Sequence, residues 1–77
     1  MITKDRLALI TNLPVQMVNQ IAFDCGYESN FRSAIFIGIN GDGHFVYEVS
    51  WEDEGRLDIG KVYIKYNHKN DTLSLDF

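Results

Sequence analysis

The sequence predicts an α+β fold: two N-terminal helices packed on one face of a four-stranded antiparallel meander sheet, in the order ααββββ. Three observations predict it. The first third of the chain carries helix-start and helix-stop residues around a 3.6-residue apolar period. From Ser33 onward, runs rich in Ile, Val, Phe, Tyr and Trp alternate with period two. The links between those runs are short and rich in Gly, Asn and Asp, which favours antiparallel neighbours over crossovers.

Thr3 is placed to cap a short helix over Lys4 to Thr11, with Ile2 and Leu7 as a hydrophobic staple. Asn12-Leu13-Pro14 ends it, because a residue before proline disfavours the helical region, and proline is tolerated in a new first turn. A second helix is expected from Leu13 to Cys25. Pro14, Val18, Ile21, Ala22 and Cys25 form its apolar stripe, Gly26 supplies a left-handed stop, and Tyr27 folds back on the last turn. Glu28 to Arg32 reads as a connector.

Asn40-Gly41-Asp42-Gly43 between two strand-forming runs is a strong hairpin signal. A three-residue Gly41-Asp42-Gly43 loop puts Ile35, Ile37 and Ile39 inside, opposite Phe45, Tyr47 and Val49. A two-residue loop flips the first strand and buries Phe36 instead. Phe45, Tyr47, Val49 and Trp51 share a face of the second strand, Val62, Ile64 and Tyr66 one of the third, and Leu73, Leu75 and Phe77 one of the fourth. Glu52 to Gly60 and Asn67 to Asp71 are read as the remaining loops. Charge matching sets Glu52 against Lys61 and Glu48 against Lys65; a shift of two sets Glu48 against Tyr63.

Seventy-seven residues, 45% hydrophobic and 13% aromatic, suit one packed domain over 1–77 and argue against disorder. A single cysteine, charges in Met1 to Arg6 before any adequate apolar run, and no apolar stretch of membrane length point to a soluble, cytoplasmic chain. The net charge of −4 is concentrated: Asp42, Glu48, Glu52, Asp53, Glu54 and Asp58 stand against Arg56 alone. Such a run repels phosphate backbones and attracts basic protein surfaces.

No residue pattern points to catalysis, a metal or a cofactor. Cys25, the only thiol, sits at a helix C-terminus beside Asp24 on the apolar stripe, a setting for a buried hydrophobe rather than a nucleophile. Asn40-Gly-Asp-Gly-His44 fails as a calcium loop, because Gly38 and Val49 fall where liganding side chains belong. Ile21-Ala-Phe-Asp-Cys-Gly-Tyr-Glu-Ser29 resembles the segment before the recognition helix of AraC-type helix-turn-helix regulators, and Phe31-Arg-Ser-Ala-Ile-Phe36 echoes that helix. The resemblance implies nucleic-acid binding through a helix at Phe31 to Phe36. One residue is missing before the aromatic, no basic cluster follows, and Ile35-Phe-Ile-Gly-Ile39 reads as strand.

With the helices on one face, the expected partner-binding residues lie on the other. Phe36, Val46, Glu48 and Tyr63 sit on the outer sheet face, joined by Asp42 and the acidic Glu52, Asp53 and Glu54. The profile matches a non-enzymatic inhibitor of the phage anti-defence or toxin-immunity kind, acting on a basic, nucleic-acid-handling protein. The alternative is a structural domain that homo-oligomerises through this face.

Overall fold

A computed structural model describes residues 2–77. Helix α1 is Lys4–Ile10 and α2 is Val15–Asp24; strands β1 Ser33–Ile39, β2 Phe45–Asp53, β3 Arg56–Asn67 and β4 Thr72–Asp76 follow. The four strands form one antiparallel sheet in the order β1-β2-β3-β4. The helices lie on one face of it, with α2 against β4 and β1. This is the ααββββ arrangement that the patterning predicts.

Local chemistry explains the helical boundaries. Thr3 Oγ1 accepts the N–H of Arg6 at 3.1 Å, relieving one of the free donors of α1. Gly26 turns the chain at φ +88°, and the N–H of Tyr27 donates back to the Ala22 carbonyl at 3.0 Å, closing α2. Val18, Ile21 and Ala22 are buried as their spacing requires. Cys25 departs from the expected stripe: it is exposed, with Sγ accepting the Leu75 N–H at 3.4 Å, because the helix ends one residue before it.

The core lies between the helices and the inner sheet face. Ile10, Leu13, Val18, Ile21 and Ala22 meet Phe45, Tyr47, Val49, Val62, Ile64 and Leu75, with Phe31 closing one end. Tyr47 is fully buried at its centre. Its hydroxyl donates to the carbonyl of Ile10 and accepts the N–H of Leu13, so β2 pins the junction between the helices.

The first hairpin corrects one expectation. Its loop has three residues: Asn40 N–H donates to the His44 carbonyl at 3.0 Å, with Gly43 at φ +79°. That loop sets Ile39 opposite Phe45, but a β-bulge follows, and the next pairs are Gly38 with Val46 and Phe36 with Tyr47. Ile37 is the extra residue, and Gly38 takes φ +153° to accommodate it. The shift turns Phe36 and Ala34 inward. Phe36 packs on Tyr47, ring centroids 5.6 Å apart, and on Phe45. Ile35, Ile37 and Ile39 are left about half-exposed or more.

The second hairpin corrects another. The stretch read as an acidic loop is mostly strand, turning on Glu54 and Gly55 alone, at φ +50° and +80°. Two positive φ values in a two-residue turn match the twist of the flanking strands. The true register sets Glu48 opposite Lys61, so both registers considered from charge matching are displaced. β1 stops pairing at Ser50 and β4 at Tyr63, so Trp51–Asp53 and their partners Arg56–Asp58 project as a two-stranded arm. The arm contributes to an elongated shape, 42 × 23 × 20 Å.

Candidate protein-docking surface

The outer sheet face, opposite the helices, is built from alternate residues of β1, β2 and β3. Across the strands its rows are Ser33–Ser50–Ile59, Ile35–Glu48–Lys61 and Gly38–Val46–Tyr63, with Glu52–Leu57 on the arm. Ile37, displaced by the bulge, lines a shallow depression with Gly38, Val46 and Lys61. Val46 is nearly covered by these neighbours, whereas Ile35, Leu57 and Ile59 are 60 to 64% exposed. Exposed apolar side chains therefore stand on both sides of β2, Ile35 and Ile37 on β1 and Ile59 and Leu57 on β3. Ser50 and Glu48, the latter facing Lys61, lie between them. Clustered exposed apolar side chains with a polar rim are the usual composition of a docking surface.

The predicted residues fall into three places. Val46, Glu48 and Tyr63 are together on this face. Phe36 is not: the bulge turns it into the core, which removes it from any outer surface. The acids are divided. Asp42 lies in the β1–β2 turn, at the opposite end of β2 from Glu52, Asp53 and Glu54. In that turn Asn40 Oδ1 accepts the N–H groups of Asp42 and His44, which holds the loop as a structural element.

The arm carries Glu52, Asp53, Glu54 and Asp58 against Arg56. Asp53 pairs across the strands with Arg56, and Glu52 Oε2 meets Arg32 at 2.5 Å. Glu54 at the tip occupies a left-handed conformation that Asn, Asp or Gly adopts more readily. On the outer face, four exposed apolar residues escape the sequence reading: Ile35, Ile37, Leu57 and Ile59. The signals for them were Gly38 inside a strand pattern, which marks a bulge, and the alternation Arg56-Leu-Asp-Ile59 after Glu54-Gly55.

The helix-turn-helix resemblance does not extend to the structure. The residues that echo a recognition helix, Phe31 to Phe36, form the end of a connector and the start of β1. Among the described residues, no three His, Cys, Asp or Glu side chains gather as a metal-binding group, and no helix is long and apolar enough to cross a membrane. Comparison with protein-family models, curated proteins and solved structures yields no match.

Proposed function

We propose that this chain is a small acidic, non-enzymatic binding protein that inhibits a basic, nucleic-acid-handling protein, as phage anti-defence and toxin-immunity proteins do. The observation that carries the reading is the set of exposed apolar side chains on the outer face, beside an acidic arm. Ile35, Ile59 and Leu57 supply area to desolvate, while Glu52, Asp53, Glu54 and Asp58 supply a field that steers a basic surface toward it. Glu54 adds support. A glutamate kept at a left-handed turn position, where asparagine fits better, is the kind of local strain that accompanies function.

Capture from the native host tests the reading, using the wild-type chain beside Ile35→Glu/Ile59→Glu and Glu52→Lys/Asp53→Lys/Glu54→Lys variants. A basic partner retained by the wild type, lost by the first variant and slower to associate with the second supports it. A partner held equally by all three contradicts it.

A second reading, a homo-oligomer, is favoured by the arm itself. The edge of β3 over Arg56–Val62 has no strand beside it, and the Glu48–Lys61 pair is self-complementary across a two-fold axis. Sedimentation velocity separates the two: a monomer at high concentration rules out the oligomer.

A further inference from the structure

At the base of the arm, on the helix side of the sheet, three aromatic rings form a row. Trp51 lies across Gly60 so closely that a Cβ built there would be 2.9 Å from its Cη2 and Cζ3 atoms. Its ring centroid is 6.3 Å from that of Phe31, which in turn is 6.2 Å from that of Phe77. Phe31 is the buried member, and it is held rigidly. Asn19 of α2 accepts its N–H at 2.8 Å and donates to its carbonyl at 3.1 Å. Over these rings opens a groove of about 420 Å³, whose other walls include Glu28 and Glu52.

The lining combines aromatic surface with two acidic residues, of which Glu52 is already paired with Arg32, and contains no cationic side chain. Arg32 meets Glu52 but does not line the groove, and among the described residues Glu28 has no ion pair. Ring faces attract cations through their quadrupoles, and a carboxylate at the rim adds direct charge attraction. A neutral polar group would lose hydration here without either gain. We propose that this groove receives the guanidinium of an arginine side chain presented by the partner. The planar cation stacks on the exposed rings, its alkyl stem lies along their edges, and Glu28 accepts its N–H groups. This deepens the reading of a basic protein partner and rests on it.

Trp51 is the only tryptophan, so its fluorescence and its indole N–H resonance report on this site alone. The probes are N-acetyl-arginine N-methylamide and its citrulline counterpart, the neutral analogue. The arginine probe is expected to shift the Trp51 signals saturably, with affinity about fivefold above that of the citrulline probe. Glu28→Gln, an exposed change, is expected to weaken the arginine probe about threefold and leave the citrulline probe unaltered. Equal binding of the two probes, or no Trp51 response to either, overturns the proposal. The probe is one residue long, so a negative result leaves the outer-face reading standing. Conversely, a partner that ignores the outer face does not alter the arginine titration.

Discussion

The hydroxyl of Tyr47 accepts the backbone N–H of Leu13 at 3.0 Å, across a sequence separation that spans the second helix and the first strand. The same hydroxyl donates to the carbonyl of Ile10, so one side chain satisfies a buried backbone acceptor and a buried backbone donor at the junction between α1 and α2. Tyr47→Phe leaves that donor and that acceptor buried without a partner. The expected loss is about 2 kcal/mol of stability, or on the order of 10 °C in melting temperature for a chain of this size. Thermal denaturation followed by circular dichroism checks it, and an unchanged midpoint would mean that the helix junction is held elsewhere.

The same tyrosine sets an alkaline limit. Burial pushes the Tyr47 phenol above its ordinary value of 10.0, against a smaller opposing effect of the Leu13 N–H. The protonated phenol is therefore favoured by the fold. Its contribution is full below about pH 10, where the unfolded chain is also protonated, and is lost as pH rises through the higher folded value. Tyr66, raised chiefly by its hydrogen bond to the Asp71 carboxylate, acts in the same direction. Urea midpoints measured between pH 8 and 11 should hold and then fall. Tyr47→Phe should fall less steeply over the upper part; an identical slope in wild type and variant would remove Tyr47 from the account.

Gly60 is required by the tryptophan above it. Gly60→Ala introduces a methyl group where the Trp51 ring now lies, so the indole must move or the arm must tilt. A destabilisation of about 1–3 kcal/mol is expected, with a red-shifted Trp51 emission as the ring leaves its packing against Phe31. A variant with wild-type stability and emission would show that the ring yields without loss.

At the tip of the arm, stability and binding are expected to trade against each other. Glu54→Asn suits the left-handed conformation and should stabilise the protein by about 0.5–1 kcal/mol. It also removes a charge from the arm, so association with a basic partner should slow. Stopped-flow association rates and urea midpoints on one preparation check both halves. A variant that gains stability and keeps its rate would reduce Glu54 to a turn residue.

How much of this was legible in the sequence differs between faces. The helices, the strand order and the buried residues of β2 and β3 follow from spacing alone, because burial enforces period and capping is local. The outer face does not. Glycine in a strand is the usual mark of a bulge, and one extra residue beside Gly38 exchanges Ile35 and Phe36 between faces. The acid-rich run concealed the arm, because its charges resemble a solvated loop while its turn rests on two residues, Glu54 and Gly55. Asn19 lies off the apolar stripe of α2, yet it clamps Phe31; a contact between distant segments leaves no periodic trace.

The central claim is that the outer sheet face is a protein interface, and Ile35→Glu/Ile59→Glu tests it most directly. Both residues are exposed, so the variant should keep its fold and melting temperature. Isothermal titration against the captured partner is the measurement. Affinity reduced at least about a hundredfold, with an unchanged circular dichroism spectrum, is the result expected for charges placed in a desolvated interface. Wild-type affinity from the folded variant would contradict the assignment of this face.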